Sequence, residues 1–184
     1  GRAVRLSDDL WRVLARAQYF SRRSDGAFDV TVGPYVQLWR RARRQRALPE
    51  PWRLTAAREA VGYNHVVLDP ARHTARLLRP HMRLDLGGIA KGYAIEEAYK
   101  VLKARGVPRA LVTGGGDMFA GEPPPGKPGW RIEVAPLDVP DPPPPTFIAL
   151  RNRALATSGD LYQRLEIDGK RYSHIVDPRT GIGL

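Results

Sequence analysis

Residues 83–92, with the sequence RLDLGGIAKG, constrain this chain more than any other stretch. An apolar, strand-like run ends there at Asp85, two glycines follow, and after Lys91 a helical pattern of apolar residues continues to about Arg105. Glycines between a strand and a helix let the backbone approach a ligand, and the first N–H groups of a helix can bind an anion. The spacing matches neither a Walker A loop nor the GxGxxG dinucleotide pattern. The stretch therefore predicts either an anion site or an ordinary strand-to-helix turn.

A second glycine-rich turn follows a short predicted strand at residues 110–113 and reads Gly114-Gly115-Gly116-Asp117. Consecutive glycines lose much backbone entropy on folding, so they are best tolerated where a bulge or a closely approaching ligand requires them. Like the first turn, this one carries an acidic residue. The recurrence favours a ligand site, with turn formation alone as the alternative.

Composition and charge limit the kinds of site and of binding partner that the chain can have. A chain of 184 residues is long enough for one core, and the absence of cysteine excludes disulfides, thiolate chemistry and Cys-based zinc sites. Arginine supplies most of the net charge of +11, and five arginines lie within residues 40–46. Because aromatic residues are not interleaved with this cluster, we interpret it as a solvated helix end and expect no nucleic-acid partner. The chain starts without methionine and stops after a turn, so we expect it to be a segment of something longer.

Local patterns predict a mixed α+β chain. Ser7 is a candidate N-cap, Pro34 can open a helix that the arginine cluster finishes, and Thr55 can cap a helix that ends near Gly62. The Asp168-Gly169 pair predicts a type I′ hairpin turn. Strands are predicted at residues 66–68, 75–78, 110–113, 130–134, 147–150, 154–157, 165–167 and 171–176, and a helix at residues 93–105. The proline-rich stretches 122–129 and 136–145 are interpreted as exposed loops.

Taken together, five motifs in register resemble the FAD:protein FMN transferase (ApbE) family. They are SDGAFDVTVGP (24–34) with Leu38-Trp39, DLGGIAKGYA (85–94), GGD (115–117), ATSGD (156–160) and DGKRYSHIVDPRTG (168–181). The resemblance implies a single α+β domain over residues 1–184, with antiparallel sheet flanked by helices and incomplete at both ends. It also implies FAD as substrate together with Mg2+, and transfer of FMN to a Ser/Thr hydroxyl of a target flavoprotein with release of AMP.

The same resemblance implies roles for individual residues. Asp85 and Lys91 would contact FAD, and the Gly88 carbonyl would contact the metal. His174 and Ile175 would lie against the flavin nucleotide, with His174 assisting the attacking hydroxyl. We therefore expect the glycine turn and His174 to line one cleft. Asp117 and Asp160 fit the motifs as well, although a structural role in turns accounts for them equally.

Two departures from the family pattern qualify the resemblance. Residues 40–44 are arginine-rich where the family often has a glycine-aromatic segment that helps to hold FAD, and a later segment with the metal's side-chain ligands is missing. An FAD-binding protein or FAD pyrophosphatase on the same scaffold stays open, since water could replace the hydroxyl, and a basic nucleic-acid-binding module is the third alternative. The family suggests a periplasmic or membrane-anchored location through an upstream lipid anchor, with a cytoplasmic location left open.

Overall fold

Helices and antiparallel strands make up the part of the chain that the computed structural model describes, residues 1–134, 143–158 and 164–184. Its four α-helices are α1 (Asp8–Arg23), α2 (Gly33–Gln45), α3 (Pro51–Arg58) and α4 (Ala90–Ala104). Its ten strands are β1 (Val4–Arg5), β2 (Val66–Asp69), β3 (Thr74–Leu77), β4 (Leu111–Gly114), β5 (Asp117–Ala120), β6 (Trp130–Val134), β7 (Thr146–Leu150), β8 (Arg153–Leu155), β9 (Leu165–Ile167) and β10 (Lys170–Tyr172). No described helix has both the length and the apolar character that crossing a membrane requires.

The described strands form four antiparallel sheets, in the orders β1-β3-β2, β10-β9, β4-β5-β8 and β6-β7. This arrangement confirms the predicted α+β fold with antiparallel sheet. The chain divides into two compact units: Gly1–Gly88 with Tyr162–Leu184, and Ile89–Leu161. We call them the first and the second unit.

Helices α1 and α2 of the first unit begin where the sequence predicts. Ser7 caps α1, because its Oγ accepts a hydrogen bond from the Leu10 N–H at 3.3 Å. Pro34 stands at the start of α2, where the fixed φ of proline suits a helix and its missing N–H costs nothing. Trp39, which is 2% exposed, packs with Leu165 and Tyr172 in the core, as its apolar spacing indicates.

The β9–β10 hairpin confirms the type I′ prediction. Asp168 and Gly169 have φ values of 51° and 73°, the left-handed conformation that this turn requires at both central positions. The second strand is shorter than predicted and ends at Tyr172 instead of residue 176. Beyond Tyr172 the chain pairs with the last residues instead: the Leu184 N–H donates to the Ile175 carbonyl, and Val176 bridges Gly183.

In the second unit, helix α4 packs against β4 and β5. The Tyr99 ring is buried and lies 4.6 Å from the Phe119 ring, measured between centroids. Ala120, Ile132 and Leu150 form a buried cluster that joins the two sheets of this unit. Ile95 and Tyr99 are the buried residues of α4, whereas Ala94, Ala98 and Val101, which the apolar spacing of the sequence also predicts to be buried, are exposed.

Three local predictions are wrong. Helix α3 begins at Pro51, not after Thr55, because proline at the first helical position fixes the start five residues earlier. Thr55 lies inside the helix and donates its hydroxyl to the Pro51 carbonyl. The helix ends at Arg58, well before Gly62. The strand expected before Asp85 is reduced to one isolated bridge between Val32 and Arg83.

Candidate functional site

The Asp85 turn is held by its own carboxylate. Oδ1 accepts a hydrogen bond from the Gly87 N–H at 2.9 Å, and the Asp85 N–H donates to the Val30 carbonyl at 2.8 Å. The side chain is 25% exposed, and Oδ2 lies 3.4 Å from the Arg40 guanidinium. One oxygen of Asp85 therefore shapes the turn, while the other has, among the described residues, only a long contact with an arginine that is itself 68% exposed.

Gly88 packs closely against Phe28. A Cβ at this position would lie 3.2 Å from Cε2 of Phe28, which is tighter than ordinary van der Waals contact. Any larger residue would push the turn away from the loop of residues 24–32 or displace the phenyl ring. The glycine thus allows the backbone at Gly88, including its carbonyl, to lie against Phe28 of that loop.

The loop of residues 24–32 is held by a buried polar network, whose members come from separate stretches of the sequence. Asp29, 7% exposed, accepts hydrogen bonds from the Thr31 N–H and hydroxyl, both at 2.7 Å, and from the Tyr63 N–H at 2.8 Å. The Thr31 hydroxyl in turn accepts from the Gly62 N–H at 2.7 Å. The network fixes the loop that carries Phe28 and Val30, and both of these residues contact the Asp85 turn. Phe28 and Val30 of the SDGAFDVTVGP motif therefore support the turn of the DLGG motif.

The second unit brings residues of three predicted motifs together. Lys91 Nζ lies 2.9 Å from Asp117 Oδ2 and 3.4 Å from the Gly115 carbonyl oxygen. The other carboxylate oxygen of Asp117 accepts from the Thr157 N–H at 3.3 Å. The Lys91 side chain is 47% exposed, whereas that of Asp117 is only 13% exposed. Asp117 is accordingly a positioning group, and Lys91 keeps donor capacity toward solvent.

The glycine-rich turn after β4 now has a structural explanation. Gly115 and Gly116 have φ values of 57° and 89° and form the two-residue turn between β4 and β5. Residues with side chains adopt two successive positive φ values only under strain, so this turn selects glycine. The carbonyl oxygen of Gly115 lies 3.4 Å from Lys91 Nζ, so the turn also contacts the start of α4.

His174 and Ile175 lie in the first unit, directly after β10. The Ile175 N–H donates to the Ser173 hydroxyl at 3.1 Å, and its carbonyl accepts from the Leu184 N–H at 2.9 Å. The His174 side chain is half-buried, with its Nδ1 atom inside the protein. Backbone pairing on both sides thus fixes the segment that carries this imidazole.

The turn after this segment is stabilised by Asp177. Its Oδ1 accepts from the Arg179 N–H at 2.9 Å and from the Arg179 guanidinium at 3.3 Å. The Arg179 backbone N–H, followed by its side chain, lowers the pKa of the Asp177 carboxyl below its ordinary value. The charged form is therefore part of the folded turn.

Among the described residues, no three His, Asp or Glu side chains are grouped closely enough to hold a metal ion. The residues present do not by themselves fit Mg2+, which favours near-octahedral oxygen coordination with at least one carboxylate. Asp85, Gly88, His174 and Ile175 belong to the first unit, and Lys91 belongs to the second. The common cleft of the glycine turn and His174 stays a prediction, and Asp160 lies outside the described residues.

The fold and these motifs are those of one protein family, since the model of the ApbE family matches residues 1–184. The chain belongs to the ApbE family. It is 34% identical over 184 residues to the FAD:protein FMN transferase of Haemophilus influenzae, covering 97% of this chain and 53% of that protein. It is 31% identical over 183 residues to the protein of the same name from Salmonella typhimurium, covering 96% and 51%.

Solved structures agree with this assignment. The crystal structure of the ApbE protein of Thermotoga maritima is 32% identical, has a TM-score of 0.86, and is matched over 100% of this chain and 59% of its own. The flavin transferase ApbE of Vibrio cholerae is 31% identical, with a TM-score of 0.86 and coverage of 100% and 58%. The chain thus spans about half the length of the curated relatives it matches.

Proposed function

We propose that this chain is part of an FAD:protein FMN transferase, which moves FMN from FAD to a Ser/Thr hydroxyl of a target flavoprotein. The observation that carries the proposal is the match to the ApbE family along the whole chain, with the DLGGIAKG turn, Asp117 and the His174 segment all ordered by specific contacts. The names of the curated relatives support the same reaction.

The proposed reaction is a phosphoryl-group displacement. The acceptor hydroxyl oxygen attacks the phosphorus on the riboflavin side of FAD, a new P–O bond forms, and the bond from that phosphorus to the bridging oxygen breaks. AMP leaves with the bridging oxygen, and FMN remains on the acceptor as a phosphodiester. The hydroxyl proton goes to His174; since Nδ1 is inside the protein, Nε2 is the nitrogen that would take it.

Lys91 and Asp85 would position the substrate. The Lys91 ammonium, held by Asp117, is half-exposed and suits the negative charge of a pyrophosphate. Asp85 can accept a hydrogen bond from FAD with Oδ2 if Arg40 moves, and that contact is long and exposed. Only the family resemblance implies Mg2+. The Gly88 carbonyl would give this ion one neutral ligand. The roles given to the protein's own residues do not depend on it.

The deciding experiment mixes the natural full-length protein with FAD, Mg2+ and a candidate acceptor flavoprotein. In-gel flavin fluorescence and the mass of the acceptor report covalent FMN, and chromatography reports AMP. Flavin on a Ser/Thr residue of the acceptor with one AMP released per flavin supports the transferase. Release of FMN and AMP with no modified acceptor would instead identify an FAD pyrophosphatase on the same scaffold.

A further inference from the structure

The solvent-facing side of α1 combines arginines with two exposed aromatic rings. Its residues share one side of the helix because they recur at intervals of three and four positions. They are Arg12, Arg16, Tyr19, Phe20 and Arg23, and all five are exposed. We call these residues the α1 face. The other side of the helix, which carries Leu14 and Ala17, is buried in the first unit.

Contacts among the side chains order the α1 face. The Arg16 guanidinium lies 4.9 Å from the centroid of the Tyr19 ring and 4.8 Å from that of the Phe20 ring. Arg23 lies over the Tyr19 ring at 6.0 Å, and the two rings meet edge to face at 5.4 Å. These rings are 44% and 41% exposed. Single exposed aromatic residues are ordinary, but two adjoining rings that share one guanidinium form a surface preorganised for binding.

The positive charge of the α1 face has little to balance it. Arg12 has an exposed contact of 3.7 Å with Asp9. For Arg16 and Arg23, no ion pair with a carboxylate is found in the described part of the chain. The N–H donors of a guanidinium lie at its edge, so a ring beneath its face leaves them available to carboxylates. The α1 face is therefore complementary to an acidic partner.

The aromatic rings of the α1 face continue toward the Asp85 turn. The Phe20 ring packs edge to face on Phe28 at 6.3 Å, and Phe28 in turn lies against Gly88. Tyr19, Phe20 and Phe28 thus form a row of rings from the exposed helix to that turn, all within the first unit. A protein that presents a hydroxyl group at the turn would also cover the surface beside it.

We infer that the α1 face is the docking surface for the acceptor flavoprotein, and that it binds an acidic surface around the acceptor Ser/Thr residue. This inference rests on the proposed transferase function. Arginine and aromatic residues are enriched at the energetically important positions of protein interfaces. A membrane with anionic lipids would meet the same charges. The row of rings that leads to the Asp85 turn favours instead a partner that the reaction itself brings there.

Biolayer interferometry with the natural full-length protein tests the inference. The immobilised probe is a candidate acceptor flavoprotein with an acidic surface around its acceptor position and with alanine at that position, so that binding is measured without transfer. Arg16→Glu should weaken binding by about tenfold or more, because it replaces an attraction by a repulsion. Tyr19→Ala should weaken it by about fivefold or more, as expected for an anchoring ring. The association rate of the natural protein should fall as salt is added.

Each variant has a matched control. Arg22→Glu makes the same charge change on the same helix, about 120° around the axis from Arg16. Trp52→Ala removes a ring of α3 that is 63% exposed and also has an arginine, Arg53, lying over it. Neither control should change the affinity by more than about threefold, since Arg22 acts only at long range and Trp52 lies on another helix. Circular dichroism melting checks that all four variants are folded.

Several outcomes would overturn the inference. Equal losses in Arg16→Glu and Arg22→Glu would reduce the effect to non-specific charge, and unchanged affinity in Tyr19→Ala or absence of binding by the natural protein would also exclude the surface. Vesicles of phosphatidylcholine with phosphatidylserine test the membrane alternative. If Arg16→Glu and Tyr19→Ala abolish sedimentation with these vesicles but leave acceptor binding intact, the α1 face binds lipid instead. Failure of the proposed function is distinguishable, because a natural protein that binds the acceptor through the α1 face and transfers no flavin would refute the transferase but not the docking surface.

Discussion

Lys91 at the start of α4 and Asp117 at the start of β5 form an ion pair of 2.9 Å within the second unit, and this contact brings the helix N-terminus to the glycine turn after β4. Asp117 is largely buried and also accepts the Thr157 N–H, so it orients the lysine more than the lysine orients it. Because the Lys91 side chain is half-exposed, the pair itself stabilises the fold weakly, by about 1 kcal/mol or less. The main effect of the pair is to orient the Lys91 ammonium group.

The first prediction concerns Lys91→Ala. If Lys91 contacts the FAD pyrophosphate, removing one charge-assisted interaction should weaken FAD binding by about tenfold or more. Lys100→Ala is the matched control, because Lys100 is another half-exposed lysine of α4 with carboxylate partners, Glu96 and Glu97. Fluorescence titration with FAD measures both variants. Equal affinity in the two would remove Lys91 from the nucleotide site.

The second prediction concerns Asp29→Ala. This change leaves the N–H groups of Thr31 and Tyr63 and the Thr31 hydroxyl without their buried acceptor. At about 1–3 kcal/mol for each unsatisfied group, the free energy of unfolding should fall by roughly 3 kcal/mol or more. Urea denaturation measures it.

The control for Asp29 is Asp69→Ala. Asp69 also accepts two backbone N–H groups, from Ala71 and Arg72, but its side chain is 35% exposed, so water can replace it. Its loss should cost about 1 kcal/mol or less. Comparable losses at both positions would mean that burial of the Asp29 network contributes little.

The helix starts and the Asp29 network show which features of the fold could be predicted from the sequence alone. Helix starts and hairpin turns were predictable because their determinants are adjacent, as with Ser7, Pro34 and Asp168-Gly169. The Asp29 network was not, since its partner Tyr63 lies 34 positions away and only the fold brings the two together. Strand β5 was missed for a similar reason: a four-residue strand is recognised by its partner β4, not by its own pattern.

The same distinction holds for the site residues: features that depend on adjacent residues were predictable, and contacts between distant residues were not. The spacing of the glycines indicated turns that a ligand could approach. Only the family resemblance identified FAD as that ligand. The spacing also could not show that Lys91 has Asp117 as its partner or that Gly88 lies against Phe28. The arginine cluster of residues 40–46 was visible in the sequence, whereas its position beside Arg164 around one cavity could be seen only once the β9–β10 hairpin was placed.

The third prediction follows from the lowered pKa of Asp177. Because the folded-state pKa lies below the unfolded one, the charged carboxylate stabilises the fold fully above the unfolded value of about 4. That contribution disappears as the pH falls through the folded pKa. Urea midpoints of the natural protein should therefore exceed those of Asp177→Asn at pH 7, and the difference should shrink below about pH 4. A difference that is constant from pH 7 to pH 2.5 would contradict the prediction.

The fourth prediction concerns His174→Ala. If the imidazole takes the proton of the acceptor hydroxyl, single-turnover transfer of FMN should slow by about 10²–10⁴-fold, while FAD affinity changes little. His81→Ala is the control, since His81 is an exposed histidine of the same unit. Transfer near the natural rate would exclude His174 from the chemistry. If rate, affinity and melting temperature all fall together, His174 only orders the end of the hairpin.

The last prediction is that residues 1–184 alone bind Mg2+ weakly. The Gly88 carbonyl is one neutral ligand, and Mg2+ binds proteins mainly through carboxylates and substrate phosphates while keeping several waters. The described residues contain no group of three acidic or imidazole side chains that could replace those partners. Calorimetry without nucleotide should therefore give a dissociation constant in the millimolar range, corresponding to about −4 kcal/mol of binding free energy. Adding FAD should tighten Mg2+ binding, because its phosphates supply the missing oxygens. Micromolar binding without nucleotide would show that the ligands are misassigned, and Asp85→Ala and Asp117→Ala would then identify which carboxylate provides it.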